Sequence, residues 1–391
     1  MTASALHSEI TSCNIGGSNR LEVRMQKQYG LIGCGMMGEE HIRFVNLLDG
    51  ARVTHVYDPI PERAAIAAKL AGGAKINDSL AEIVTAKGVD ALIIASPNYL
   101  HADQLSQIAA LRTLPILCEK PLYVDPSQEP AIRALQASYA APIWVAMEYR
   151  YMPPVAAFKE RLQAVTGGVD MLSLREHRYP FLEKVGDWNR FNKNTGGTLV
   201  EKCCHFFDLM RYLLDADPIR VMATAGQINN HLDEVYDDRT SDIWDGGYVL
   251  IDFDNGARAC LELCMFAGGS MWNEEMSAVG KRGKLECKIP APARFWPDNV
   301  NSPAHPLIIE SPRDPINPVT REIHIDKTLL KEGDHHGSTF FQHQKFLELI
   351  VNKNGKPDVS LEDGLKAVKI GLAAQRAATS GQAVSLDLSN K

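Results

Sequence analysis

The sequence has no C-x-x-C pair among its eight cysteines, Cys13, Cys34, Cys118, Cys203, Cys204, Cys260, Cys264 and Cys287. Several of them sit inside apolar runs, where a thiol packs as a small hydrophobe. A disulfide framework is therefore not expected, and a reducing cytoplasm is the expected compartment. No apolar stretch is long enough to span a bilayer, so no membrane association is expected. There is no long basic run and the formal net charge is −7, which argues against nucleic acid as a main partner. Internal repeats are absent. What is present is 391 residues of ordinary globular composition, 45% hydrophobic and 23% charged, enough for two domains. Residues 1–25 lack periodicity and lack the apolar core of a signal peptide, and a flexible N-terminal extension is expected there.

The chain is organised around Tyr29 to Asp58. Tyr29-Gly30-Leu31-Ile32 reads as a short buried strand, Gly33-Cys34-Gly35-Met36-Met37-Gly38 follows, and Ile42, Val45 and Leu48 then recur at helical spacing. Arg52 to Tyr57 is a second strand, ending in Asp58. Strand, G-x-G-x-x-G, helix, strand, acid is the dinucleotide-binding order. Gly33 is expected to make the tight turn, Gly35 to let the backbone approach a pyrophosphate, and Gly38 to let the helix pack close to the strand. The helix N-terminus, with Met36 and Met37, offers unpaired N–H groups and a positive dipole end to the phosphates. Asp58 falls where a ribose 2′-hydroxyl is expected. A 2′-phosphate there would meet a like charge, costing about 4 kcal/mol for unit charges about 4 Å apart at an effective dielectric of about 20. NAD is therefore expected over NADP, with Arg63 the one nearby residue that could offset this.

Helices are expected at Pro61 to Leu70, at Ser79 to Lys87 with Ser79 or Asp78 as N-cap, from near His101, and at Gln128 to Tyr139. Val89 to Ala95, Leu114 to Cys118 and Pro142 to Met147 read as buried strands between them. This alternation predicts a Rossmann-type, doubly wound parallel sheet over residues 26–149. Its ligands belong beyond the carboxyl ends of the strands, where Gly33, Asp58, Ser96-Pro97-Asn98 and Glu119-Lys120-Pro121 all fall. From Arg150 the pattern changes. A helix over Pro154 to Val165 and one from Thr198 accompany strands near 169–179, 220–227, 242–253, 258–266, 270–279 and 284–289. Asp254-Asn255-Gly256 is a hairpin turn, and such runs predict a mostly antiparallel sheet in a second α+β domain, residues 150–391. Residues 290–320, rich in Pro and Asn, are expected to be a long loop. Helices over Ser338 to Val351 and Leu361 to Thr379 and a strand near Ala383 to Leu386 close the chain.

Gly33 to Gly38, Ser96-Pro97-Asn98 with His101, Glu119-Lys120-Pro121, Gly196-Gly197 followed by Glu201 and His205, and Val359-Ser-Leu-Glu-Asp-Gly-Leu-Lys-Ala together resemble the glucose-fructose oxidoreductase/inositol dehydrogenase/rhizopine catabolism (Gfo/Idh/MocA) family, over roughly residues 28–387. The resemblance implies a Rossmann domain followed by an α/β domain with a large open sheet, often used to form dimers or tetramers, and oxidation or reduction of sugars and polyols with NAD or NADP. It implies that Lys120 reaches the substrate beside the nicotinamide, where a fixed ammonium can stabilise alkoxide character. It also implies that His205 points into the cleft, following an acid four residues earlier.

Spacing by itself puts Glu201, His205, Asp208 and Tyr212 on one face of the helix from Thr198. A plain amphipathic helix with a wet face gives the same pattern. Thr198-Leu-Val-Glu201 also matches a capping box, which would tie that carboxylate to backbone. Here the family's Asp is Glu, one methylene longer. The expected reaction has His205 as general base, Lys120 polarising the oxygen and Glu201 orienting the substrate. Further substrate contacts are expected from a pool containing Glu148, Arg150, Tyr151, Arg178, Trp188, Asn189, His335 and His336. No metal site is expected: adjacent helical residues such as Cys203, Cys204 and His205 point about 100° apart, and His335-His336 reads as a polar loop. Two other functions share these features, a catalytically silent NAD-binding sensor and an enzyme that oxidises transiently to cleave a glycoside or epimerise a sugar.

Overall fold

The expected parallel sheet forms. The computed structural model describes residues 26–297, 300, 305–352 and 355–388, so the N-terminal extension expected over 1–25 lies outside the described residues. Strands β1 (Lys27–Ile32), β2 (Ala51–Tyr57), β3 (Lys75–Ile76), β4 (Ala91–Ile94), β5 (Ile116–Cys118) and β6 (Ile143–Val145) lie in the order β3-β2-β1-β4-β5-β6, every pair parallel. Helices α1 (Met36–Asn46), α2 (Pro61–Leu70), α3 (Leu80–Thr85), α4 (His101–Leu111) and α5 (Glu129–Ser138) connect them. β4, β5 and β6 are buried along their whole length, which is why they read as unbroken apolar runs. Ser79 caps α3 by accepting from the Glu82 N–H. The order of connection reverses beside β1, between β2 and β4, and the crevice that opens there lies over the glycine turn.

The second half begins with α6 (Pro153–Thr166) and builds a nine-stranded sheet. Its strands are β7 (Met171–His177), β8 (Pro218–Gly226), β11 (Gly246–Phe253), β12 (Arg258–Cys264), β13 (Glu274–Gly280), β14 (Gly283–Ile289), β15 (Leu307–Pro312), β16 (Val319–Glu322) and β17 (Val384–Ser385), with a separate hairpin of β9 (Val235–Tyr236) and β10 (Arg239–Thr240). They run β16-β15-β14-β13-β7-β12-β11-β8-β17, antiparallel except for the β7–β12 pair. The hairpin turn at Asp254-Asn255-Gly256 is present, with Gly256 at φ +87°. The long loop expected over 290–320 is not continuous. It holds β15 and the first half of β16, short outer strands whose apolar alternation is hidden by flanking prolines and charges.

A second correction concerns the helix from Thr198. After α7 (Asn192–Thr195) the chain forms α8 (Thr198–Glu201), breaks at Lys202-Cys203, and resumes as α9 (Cys204–Leu214). The N-cap of α8 is Gly197 without a side-chain cap, and the Thr198 hydroxyl donates to the Trp244 carbonyl, so no capping box forms. A Cβ on Gly197 would fall 2.0 Å from Gln375 Nε2.

Helices α10 (Lys327–Glu332), α11 (Ser338–Asn352) and α12 (Leu361–Ser380) follow. Phe346, Leu349, Leu365 and Val368 of α11 and α12 pack into the core beneath the parallel sheet, while Ile370, Ala373 and Ala374 pack into the core of the second sheet. The first core is thus completed by residues about 200 positions beyond its last strand. Among the described residues no helix is long and apolar enough to cross a membrane.

Candidate active site

The nucleotide end of the crevice is shaped by backbone. Gly33 has φ +92°, and a Cβ there would lie 2.5 Å from the Ser96 nitrogen. Nothing lies within 4 Å of the Cβ direction of Gly35, so its backbone is open to an approaching phosphate. A Cβ on Gly38 would fall 2.2 Å from the Gly33 oxygen, so Gly38 sets the approach of helix to turn and does not itself line the crevice. Asp58 accepts from the Cys34 N–H (2.7 Å) and the Ile60 N–H (2.9 Å), which fixes its carboxylate at the rim. The crevice encloses about 1410 Å³, and Gly33, Gly35, Met36, Met37 and Asp58 line one side of it. Ser96, Pro97, Asn98, Glu119 and Lys120 line the next.

His101 is corrected from a cofactor contact to a brace. It is fully buried outside the crevice, its ring nitrogens 2.8 and 2.9 Å from the Pro121 and Ser96 carbonyl oxygens. Glu119 also faces inward: one oxygen lies 3.0 Å from His41 Nε2 and the other accepts from the Lys120 N–H.

These residues fit a dinucleotide with a free 2′-hydroxyl. Asp58→Ser is expected to remove about 1–4 kcal/mol of repulsion toward a 2′-phosphate and shift preference toward NADP by about tenfold or more. It should also weaken NAD binding, because two backbone donors lose their acceptor. Fluorescence titration with both nucleotides checks this.

At the other end the Lys120–Pro121 bond is cis, and the Lys120 ammonium donates to the Glu201 carbonyl at 3.0 Å. That carbonyl is free to accept because the helix breaks there. His205, at the start of α9, lines the same crevice and stacks on Tyr149, ring centroids 4.1 Å apart and 5° from parallel. Burial, and then the charges of Lys120 and Lys202, push the His205 pKa well below its usual value. Its Nδ1 has no hydrogen-bond partner among the described residues. Glu201 is buried beside it with Oε2 unpartnered. Burial raises the Glu201 pKa, opposed by Lys120 and Lys184. Trp188 lines the crevice and packs edge-on against Tyr99.

Three expected substrate contacts are placed elsewhere. Arg150 points into the protein and clasps Asp208, with both N–O distances 2.6 Å. Tyr151 is buried against Trp144. His336 is buried with Nε2 3.1 Å from the Pro290 carbonyl, while its neighbour His335 lines the crevice instead. From the same pool, Glu148 and Arg178 line the crevice, and Asn189 is buried and donates to the Leu182 carbonyl.

Several crevice residues carried no signal in the sequence. Lys202 sits at the helix break, 2.8 Å from Glu176, and donates to the Tyr149 hydroxyl. Thr339 Oγ1 lies 2.5 Å from Glu148 Oε2 and 2.9 Å from Glu40 Oε1. One hydroxyl has one hydrogen, so one carboxyl must bring the second proton. Glu40 is that group, since burial and then the Glu148 charge push its pKa up to about 7. Glu148 stays ionised: burial opposes it, but His335, His205 and the Thr339 hydroxyl together hold its pKa below the usual carboxylate range.

The buried histidines set a pH dependence. His205 and His343 both have folded pKa values well below the unfolded value of about 6.5. Their contribution to stability is complete above that value and is lost as pH falls below it, because the unfolded state then binds more protons. His335 is shifted upward by Glu148 against the effect of burial, so its smaller, opposite contribution is lost as pH rises through its folded pKa. The urea midpoint is expected to fall between pH 6.5 and 5, and less steeply in His343→Gln.

Residues 27–146 match the oxidoreductase family described as NAD-binding Rossmann fold, and residues 159–386 match the C-terminal alpha/beta domain of the same family. This chain belongs to the Gfo/Idh/MocA oxidoreductase family. The rhizopine catabolism protein MocA of Rhizobium meliloti is 30% identical over 278 residues, 68% of this chain and 78% of the relative. The scyllo-inositol 2-dehydrogenase (NAD(+)) of Bacillus subtilis is 28% identical over 241 residues, 61% of this chain and 67% of the relative. The fold is shared with the myo-inositol dehydrogenase of Lactobacillus casei, whose crystal structure holds NAD(H) and myo-inositol. That likeness has a TM-score of 0.71 at 19% identity and covers 94% of this chain and 98% of that one. The match of residues 27–146 is to an NAD-binding Rossmann fold, in agreement with Asp58.

Proposed function

We propose that this chain is an NAD-dependent dehydrogenase that removes hydride from a hydroxyl-bearing carbon of a sugar or an inositol-like polyol. The observation that carries this reading is that Lys120 and His205 line one crevice with the glycine turn and Asp58. The names of the relatives, rhizopine catabolism and inositol dehydrogenase, support the substrate class.

Bound NAD supplies the hydride acceptor. The main chain of the glycine turn and Asp58 hold the nucleotide, and the side chains at the far end act on the substrate. Lys120, its ammonium anchored on the Glu201 carbonyl, hydrogen-bonds the reacting oxygen and stabilises negative charge as it develops there. His205, kept neutral by burial, accepts the hydroxyl proton. Glu201 and Trp188 orient the remaining hydroxyl groups. The carbinol carbon loses hydride, its oxygen loses a proton, and a ketone results.

The test is NADH formation, followed by absorbance, across a panel of inositols and monosaccharides. Release of NADH with one or a few members is expected. Tight NAD binding with a flat response across the panel would overturn the reading in favour of a silent sensor. Altered product without net NADH would favour transient oxidation.

The open face of the second sheet supports self-association. Met171, Tyr248 and Leu250 project from it, 61%, 57% and 50% exposed, with no helix over them among the described residues. Tyr248→Glu is expected to convert a dimer or tetramer to monomer in light-scattering chromatography.

A further inference from the structure

We propose that His305, Glu322 and His324 form a site for one zinc-class transition-metal dication on the outer edge of the second sheet. The site is independent of the crevice and of the reaction assigned to it.

The placement follows from strand register. Leu307 of β15 pairs with Glu322 of β16, and the Ile323 N–H donates to the Pro306 carbonyl at 2.9 Å, so the ladder continues outward. Two residues on, His305 stands opposite His324. Side chains alternate along a strand, so Glu322 and His324 share a face. The next partners inward, Ile308 and Arg321, belong to the other face: Ile308 is buried in the core, and Arg321 reaches Glu310 at 3.7 Å. The three candidate donors therefore emerge together on the face opposite the buried Ile308.

Their geometry suits a metal. The two rings stand 4.3 Å apart at 70°, and one donor atom from each of the three residues lies within 4.8 Å of the others. Ligands of tetrahedral zinc sit about 3.4 Å apart, given Zn–N and Zn–O bonds of about 2.0–2.2 Å. An inward turn of about 1 Å closes that gap, and these half-exposed and exposed side chains are free to make it. None of the three side chains forms a hydrogen bond or ion pair with another described residue, so a metal displaces no such partner among them.

Two imidazoles and one carboxylate favour zinc, nickel or copper over magnesium or calcium. Three protein ligands leave a fourth position open to water or to a donor from elsewhere. The bound ion would clip β16, the outermost strand, to β15.

The test is calorimetric titration of Zn²⁺ into the full chain, freed of metal and of any affinity tag. Wild type is compared with the His305→Ala/His324→Ala double variant and with Glu322→Gln. One saturable site per chain is expected, lost in the double variant, weakened in Glu322→Gln, and not competed by excess Mg²⁺. Circular dichroism and melting without metal should not change, because all three side chains lie at the surface. If the double variant melts early, His324→Asn alone replaces it and must lose the site. Absence of saturable binding overturns the proposal. So does binding that survives in these variants, including binding that Glu148→Gln removes, which would place the ion in the crevice.

Discussion

His205→Ala is expected to lower kcat by about two to four orders of magnitude while leaving NAD affinity close to wild type. The first effect follows from position. Of the two imidazoles that line the crevice with Lys120, burial holds the His205 pKa low, whereas Glu148 shifts that of His335 upward. The second follows because the groups that hold the nucleotide, the glycine turn and Asp58, stand at the ends of β1 and β2 and not on α9. Removing the ring also strips the stacking partner from Tyr149, so a structural contribution must be separated from the chemical one. His205→Gln retains a polar side chain of similar reach but has no basic nitrogen, and it should be as slow as the alanine variant. Its melting temperature should lie nearer to wild type. Single-turnover NADH formation measures the chemical step. A Gln variant with more than a tenth of wild-type rate would remove His205 from the role of base.

Arg150→Met is expected to destabilise the fold by about 3–5 kcal/mol with little change in KM for those molecules that remain folded. Arg150 has nothing to do with substrate in this geometry. It holds fully buried Asp208 through two hydrogen bonds, donates to the Asp358 carbonyl at 2.9 Å, lies 3.5 Å from Asp363, and sits over the Tyr212 ring. Burial raises the Asp208 pKa, and Arg150 works against that shift. Without the guanidinium, an uncompensated carboxylate stays in the core, where it must take up a proton or distort its surroundings. Asp208→Asn together with Arg150→Met should recover part of the loss, because the double change removes both charges. Urea unfolding at pH 7 measures both. An Arg150→Met protein that melts normally but binds substrate poorly would restore the residue to the site.

These two residues also show where a sequence can be read and where it cannot. The Rossmann half was legible because a sheet buried on both faces prints its strands as apolar runs, and because each glycine of the turn answers a local steric demand. Asp58 was legible for the same reason, as the end of a strand with a fixed place. His205 and Lys120 needed a family resemblance, since a helix face and a loop lysine look alike in many proteins. Arg150 was misplaced because nothing local separates a cation facing a cleft from one folded back on a buried acid 58 residues away. His335 and His336 are adjacent, and consecutive left-handed backbone angles turn only the first into the crevice. The break after Glu201 was hidden because Lys202 and Cys203 continue a good helical pattern. The break serves long-range contacts, an acceptor for Lys120 and a place for Lys202 beside Glu176.

The last two helices give the order in which the protein can mature. A ribosome delivers the six parallel strands first, yet that nascent half still lacks Phe346, Leu365 and Val368 beneath its sheet. Gly364 and Gly371 let α12 lie almost backbone-deep against Val145 on one side and Leu199 on the other, so a shortened tail would loosen both halves together. The nucleotide-binding half therefore gains its full core only after α11 and α12 have been made.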